Sequence, residues 1–131
     1  LESLARSHPA TPLQAGFILP LTQAADHLEW DYRTLLQAVL DSVNKGISKE
    51  QVAWRFHAAL AAGVVAAAQA LRDSYATSRV ALSGGVWQNR LLHQMTLAGL
   101  RAQGFSVHWN QAVPPGDGGL ALGQLALAHG L

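Results

Sequence analysis

The stretch Val80-Ala81-Leu82-Ser83-Gly84-Gly85-Val86-Trp87-Gln88-Asn89 constrains the fold most, because an apolar run passes through two adjacent glycines into a helical pattern. Arg79 to Leu82 has the composition of a buried strand, and Leu91, Met95 and Ala98 recur at helical spacing over Arg90 to Leu100. The two glycines permit backbone angles that a Cβ would forbid. A strand entering a helix through such a turn leaves N–H groups without partners at the helix N-terminus, and these suit a phosphate or a nucleotide edge. Asn89 adds a carboxamide at the same place. By spacing alone, a tight strand-to-helix turn explains the glycine pair at least as well as a ligand site does.

Gly104 closes that helix, and Phe105 to Trp109 reads as a second short strand. Strand, helix and strand in succession predict a parallel pair joined by a right-handed crossover. Next comes Val113-Pro114-Pro115-Gly116-Asp117-Gly118-Gly119, a loop dense in breakers, and then a small-residue helix over Leu120 to Ala128. Both glycine-rich turns therefore fall at the carboxyl ends of parallel strands, where open α/β sheets bind ligands.

Upstream, Leu1 to Ser7 reads as the end of a helix, broken by the region from Pro9 to Pro12. Gly16 to Leu21 is either an edge strand or an extended connection. Asp31 to Lys45 carries Tyr32, Leu35, Leu36, Val39 and Val43 at helical spacing, with Asp31 as cap and Gly46 as stop. Ser48-Lys49-Glu50-Gln51 has the form of a capping box and opens the longest helix, through about Tyr75. Its middle, Ala58 to Ala68, is apolar all round, which predicts burial on more than one side. Gly63 among those alanines predicts close approach by another backbone.

A chain of 131 residues makes about one domain. Half its residues are hydrophobic and 13% are charged, the balance of a piece whose faces expect company. The formal net charge is +1, with no run of lysine or arginine, which argues against nucleic acid or an anionic membrane surface as a partner. The longest apolar run is too short to span a bilayer, so the expectation is a soluble chain. With no cysteine, the chain holds no disulfide, thiolate zinc site or thiol nucleophile, which is compatible with a reducing compartment. The opening Leu1-Glu2-Ser3 lacks an initiator methionine and a signal pattern, and predicts a chain cut from a longer one.

Arg55-Phe56-His57, then Leu82 to Leu92, then Val113-Pro114-Pro115-Gly116-Asp117-Gly118-Gly119-Leu120-Ala121-Leu122-Gly123-Gln124 occur in that order. On these stretches the chain, from Leu1 to its end, resembles the C-terminal domain of the HypF carbamoyltransferase family of nickel-iron hydrogenase maturation. That domain is similar to the TsaD-type tRNA threonylcarbamoyladenosine synthases, of the actin-like, sugar-kinase and Hsp70 ATPase superfold. The resemblance implies an α/β fold: a partial lobe with a short parallel sheet flanked by long helices. It makes residues 1–131 one incomplete domain, the C-terminal part of a TsaD-like carbamoyl-transfer domain.

The chemistry is implied by the same resemblance. In such proteins an upstream domain forms carbamoyl adenylate from carbamoyl phosphate and ATP, and this domain passes the carbamoyl group to the C-terminal cysteine of HypE. The implied cofactors are ATP or carbamoyl adenylate and a divalent metal, the implied partners a HypE-like acceptor and the parent's own N-terminal lobe and domains, and the implied location the cytoplasm. By position, Ser83, Gly84, Gly85 and Asn89 correspond to the nucleotide-binding turn, Asp117 to a metal-ligating aspartate and Glu2 to a helix acid that accepts ribose hydroxyls. The family's paired metal-binding histidines belong to the absent first lobe, and no His-x-x-x-His occurs here. The piece alone is expected to be inactive, with no catalytic base assigned within it, and apolar faces meant for the other lobe predict self-association.

Blander roles compete at several positions. Asp117 between glycines suits an Asx-type turn. His57, at the edge of the most apolar helix, reads as a satisfied core histidine, and His108 and His129 as surface residues. Trp54, Trp87 and Trp109 read as scattered core or interdomain anchors rather than a stacking platform. Two rival functions remain open: an ATP-dependent small-molecule kinase of the same superfold, which would need a general base for its hydroxyl acceptor, and a non-catalytic interaction module.

Overall fold

The computed structural model describes residues 1–7, 16–111, 116 and 119–129. In chain order the elements are α1 (Glu2–Arg6), β1 (Leu21–Ala24), β2 (His27–Trp30), α2 (Tyr32–Asn44), α3 (Lys49–Tyr75), β3 (Arg79–Leu82), one 3-10 turn (Gly85–Gln88), α4 (Arg90–Ala102), β4 (Ser106–Trp109) and α5 (Leu120–Ala128). The expected breaks at Pro9 to Pro12 and at Val113 to Pro115 lie outside the described residues, as does Asp117.

Helix α3, 27 residues long, is the spine. Its start is fixed as the capping box predicts, with the Ser48 side chain accepting from the Gln51 N–H. Along its first half Ala53, Trp54 and Ala58 bury themselves against Ala5 of α1, with Leu91 and Met95 of α4 packed on the same cluster. Farther along, Val65 and Ala68 join a second cluster around Leu82, Leu100 and Phe105, which gathers β3, α4 and β4. The Arg72 guanidinium fastens this end, donating to the Gln103 carbonyl at 2.8 Å and lying 4.6 Å over the Phe105 ring. None of the described helices is long and apolar enough to cross a membrane.

Strands β3 and β4 pair in parallel, from Arg79 with Ser106 to Leu82 with Trp109, as the strand-helix-strand pattern requires. A second, separate sheet is the antiparallel hairpin of β1 and β2, with Leu21 opposite Trp30 and Ala24 opposite His27. The sequence offers Gly16 to Leu21 as a strand or a connection. In the structure that segment leads into β1, and Ala25, at a φ of 43°, makes the reversal without the Asn-Gly or Asp-Gly signal that marks many hairpins.

The structure settles two packing faces that helical spacing leaves open and corrects one expectation. On α4 the fully buried stripe is Leu92, Thr96 and Leu100, while Leu91 and Met95 are half-buried and Ala98 is exposed, because α3 and the sheet meet adjacent faces of the helix. On α2 only Leu35 and Ser42 are buried, and Tyr32, Leu36 and Val43 stay exposed, because α3 covers a narrow strip of that helix. At Gly63 the close approach comes from side chains, not backbone. An added Cβ would stand 2.8 Å from Leu19 Cδ2 and 3.4 Å from the Trp30 indole nitrogen, which donates to the Gly63 carbonyl.

At the hairpin tip His27 sits between two carboxylates, Nδ1 at 3.0 Å from Asp26 and Nε2 at 2.7 Å from Glu29. The Asp26 bond, then the Glu29 bond, holds the imidazole above its ordinary value of 6.5, and the His27 bond holds Asp26 below its ordinary 3.8. The raised histidine stabilises the hairpin fully below about pH 6.5, and this is lost as pH rises through its folded value; the depressed aspartate contributes only above its ordinary value. Hairpin protection in amide exchange, corrected for intrinsic rates, is therefore expected to be greatest between about pH 4 and pH 6.5, and to flatten with pH in His27→Ala. A His27 titration midpoint at the ordinary histidine value would remove the clasp.

Candidate functional site

The site forms where β3 ends. Leu82 is buried in the sheet and fixes the entry, and Ser83 is exposed. Gly84 has φ 104° and ψ 160°, a region that only glycine populates without strain. The chain then closes one 3-10 turn, with the Trp87 N–H on the Gly84 carbonyl and the Asn89 N–H on the Val86 carbonyl. Asn89, extended at φ −67° and ψ 102°, caps α4 by accepting the Leu92 N–H on Oδ1 at 3.0 Å.

Two distant elements meet this exit. From α1, Glu2 Oε1 accepts the Leu91 N–H at 3.2 Å, across a sequence separation of 89. From α3, His57 reaches Asn89, whose Nδ2 lies 2.9 Å from His57 Nε2. The polarity of that second contact is determined. His57 Nδ1 lies 2.8 Å from the Ala53 carbonyl, which can only accept, so Nδ1 carries the proton and Nε2 accepts from Asn89. His57 is 2% exposed and has a partner on both ring nitrogens, the satisfied core histidine that the sequence suggests.

The helix N-terminus therefore carries fewer free amides than expected of it. Glu2 takes the Leu91 N–H, Asn89 Oδ1 the Leu92 N–H, and the Asn89 carbonyl the His93 N–H. The open donors lie one step earlier. Among the described residues, none accepts from the N–H of Gly84, Gly85 or Val86. A Cβ built on Gly84 or Gly85 would meet none of the described residues within 4 Å, so none of them covers that side of the turn. Gly116, from the second glycine-rich loop, closes one side; its added Cβ would lie 3.6 Å from Gly85 Cα and 3.5 Å from Gln88 Nε2. The two loops expected to share one end of the sheet do meet there.

Beside the turn is an open cleft of about 580 Å³, lined by Trp87, Gln88, Arg90, His93, Trp109 and Asn110 among others. His93 stands between the two indoles, its ring centroid 6.2 Å from that of Trp87 and 5.5 Å from that of Trp109. Trp87 and Trp109 pack on the Leu82, Leu100 and Phe105 cluster as the core anchors expected, but they are not scattered: parallel pairing brings the end of β4 next to the end of β3, a proximity that linear spacing does not display. Trp54 is a core residue as expected. Among the described residues no cluster of three or more His, Asp or Glu could hold a metal ion, and Asp117 lies outside them.

The family model described as "Carbamoyltransferase, Kae1-like Domain, second subdomain" matches residues 1–124. The chain belongs to the HypF carbamoyltransferase family. Carbamoyltransferase HypF of Synechocystis is 32% identical over 107 residues, covering 82% of this chain and 13% of the relative. The Carbamoyltransferase HypF homolog of Cupriavidus necator is 36% identical over 100 residues, covering 75% of this chain and 25% of the relative. A crystal structure of full-length HypF in the phosphate- and nucleotide-bound form superposes with a TM-score of 0.84 at 29% identity, covering 98% of this chain and 16% of that one. HypF from T. kodakarensis superposes with a TM-score of 0.76 at 29% identity, covering 97% of this chain and 16% of that one. The chain thus corresponds to about a sixth of each HypF structure, with the α/β architecture that the resemblance implies.

The cap contributed by Glu2 is testable. Glu2→Ala leaves the Leu91 N–H without its acceptor and removes a negative charge at the α4 N-terminus, so a loss of about 0.5–2 kcal/mol in denaturant unfolding is expected. Glu2→Gln keeps an acceptor oxygen and is expected to lose less than half of that. Equal losses in the two variants would mean that the charge, not the hydrogen bond, holds the helix.

Proposed function

We propose that this chain is the nucleotide-binding lobe of a carbamoyltransferase that moves the carbamoyl group of carbamoyl adenylate to the C-terminal cysteine of a HypE-like protein, as a step of hydrogenase cyanide-ligand synthesis in the cytoplasm. The observation that carries the proposal is the set of backbone donors at Gly84, Gly85 and Val86, for which no described residue supplies an acceptor, beside Gly116. A run of consecutive unpaired N–H groups is suited to an anionic oxygen. Membership of the HypF family and likeness to a HypF structure in a phosphate- and nucleotide-bound form support the choice of a nucleotide as the anion.

In this mechanism the turn amides hold the adenylate phosphate of carbamoyl adenylate, or the phosphates of ATP, and Ser83 adds its exposed hydroxyl. Asn89 has one Nδ2 hydrogen left after the His57 bond, and this meets the nucleoside. Glu2 uses Oε1 on Leu91, leaving Oε2 for a ribose hydroxyl. A thiolate of the acceptor protein attacks the carbamoyl carbon, the new C–S bond forms, and the C–O bond to the phosphate breaks with AMP leaving. A divalent ion held in part by Asp117 would neutralise phosphate charge or polarise the carbamoyl oxygen. The remaining ligands come from the N-terminal lobe of the parent protein, whose closure excludes water. The chain alone therefore binds nucleotide without transferring carbamoyl groups.

Calorimetric titration with AMP tests the cradle. Gly85 lies outside the left-handed region and its added Cβ meets none of the described residues, so Gly85→Val is expected to fold while losing at least about 10-fold in AMP affinity as the side chain fills the space before the amides. Equal binding by wild type and variant would return the turn to a purely structural role.

The metal role has its own readout. Magnesium ion is expected to strengthen AMP binding by the wild-type chain, and Asp117→Asn to abolish that gain while leaving metal-free affinity unchanged. A variant that keeps the full magnesium effect would exclude Asp117 as a ligand.

A further inference from the structure

We propose that His57 is a positioning residue for the nucleotide turn, acting through Asn89 as one link of a polarised hydrogen-bond relay. This rests on the nucleotide reading above and adds to it a residue that never touches the ligand. The relay runs from the Ala53 carbonyl to the His57 Nδ1–H, from His57 Nε2 to the Asn89 Nδ2–H, and from Asn89 Oδ1 to the Leu92 N–H. Its two ends are backbone groups that cannot exchange roles. A carbonyl fixes one end and an amide N–H the other, so the imidazole tautomer and the carboxamide orientation between them are both determined.

Several observations give the relay work to do at the turn. Among the described residues, none would lie within 4 Å of a Cβ added at Gly84 or Gly85, so no described side chain packs over that side of the tip. Glycine at both positions removes the steric limits that would otherwise restrict the backbone. The turn must then be held by its ends. Leu82 anchors the entry in the sheet, and Asn89 is the exit. Asn89 is held in turn by α4, which it caps, and by α3 through His57.

Burial makes the link costly to break. His57 is 2% exposed, and its edge stands 6.3 Å from the Phe56 ring, centroid to centroid, in a T-shaped contact. An apolar ring of the same size at this position would leave the Ala53 carbonyl without its side-chain donor and one Asn89 N–H unpaired. Asn89 could then rotate to seek another partner only by giving up the Leu92 cap. The sequence triplet Arg55-Phe56-His57, which the nucleotide chemistry leaves unused, thereby acquires a role for its third member.

The relay can be tested on the chain with His57→Phe, which keeps a planar ring but breaks both bonds, and His57→Gln, which keeps an acceptor for Asn89. Three readouts are needed: the nitrogen-15 shifts of the His57 ring, amide exchange at Leu92 and Gly84 to Val86, and AMP affinity by calorimetry well below the unfolding temperature. The relay predicts a protonated Nδ1 with a bare Nε2 in the wild type. It predicts faster exchange at Leu92 than in the rest of α4 and about 3- to 10-fold weaker AMP binding in His57→Phe, both largely recovered in His57→Gln. An Nε2–H tautomer, or a His57→Phe variant with a lower melting temperature but wild-type AMP affinity, would overturn the positioning role. If His57→Phe does not fold, the tautomer decides: a protonated Nδ1 supports the relay and an Nε2–H form overturns it. A wild-type chain that binds no AMP would overturn the nucleotide reading, and with it the relay's purpose, whereas the ring shifts report separately on whether the link itself exists.

Discussion

The close packing of α4 on α3 underlies everything else in this chain. Gly99 of α4 meets a Val65 methyl of α3, which an added Cβ would approach to 2.8 Å, so the two helices run nearer than larger residues would allow. Their proximity brings His57 within reach of Asn89, and it lets Val65 and Ala68 share a cluster with β3 and β4. Alanine at 53, 58, 59 and 61 serves the same end on α3. A helix of small residues gains little from burying each side chain, but it admits neighbours from several directions, and close contact supplies dispersion energy in return. The apolar stretch from Ala58 to Ala68 is thus a docking spine inside a lobe.

Much of this was legible in the sequence, and the legible parts are those governed by local rules. Asp31 caps α2, Ser48 caps α3, and the strands at Arg79 and Ser106 begin within a residue of where composition puts them, because capping and strand signals act over a few residues. The hairpin of β1 and β2 was not legible. Its reversal uses Ala25 at a positive φ, and its tip is closed by an exposed Asp26, His27 and Glu29 cluster that periodicity cannot reveal. How little of the α2 stripe is covered was not legible for a related reason: helical spacing identifies a face, but what covers it is a tertiary fact. With Tyr32, Leu36, Leu40 and Val43 exposed on α2, and Leu120, Leu125 and Leu127 exposed on α5, the high apolar content finds its place partly on the surface.

At the candidate site the division is sharper. Adjacent glycines after a strand locate the turn, and the second glycine-rich loop is rightly expected beside it, as Gly116 shows. The sequence could not say which amides would be free. It suggests the α4 N-terminus, yet the Leu91 N–H is taken by a residue 89 positions upstream. Likewise Asn89 looks like a ligand donor in linear view, whereas most of its carboxamide is committed to Leu92 and His57. Such contacts depend on elements that only folding brings together.

This arrangement has a consequence for specificity. A helix N-terminus with free amides attracts any anion that can approach it, through the sum of its dipole and its unpaired donors. Here the dipole remains, but three of the first amides face protein acceptors, one of them the Glu2 carboxylate, which places negative charge where an anion would otherwise settle. On the proposed reading an anion is thereby steered one turn earlier, onto the Gly84 to Val86 backbone, where directional hydrogen bonds rather than a diffuse field would decide what fits. The same carboxylate keeps a second oxygen for a neutral hydroxyl donor. A ligand that offers an anionic group and a hydroxyl at the right separation satisfies both, while a free inorganic anion near Glu2 meets repulsion. Capping α4 with an acid from α1 thus stabilises the fold, and on the proposed reading it would also narrow the class of ligand toward one that, like a nucleotide, carries phosphate and sugar together.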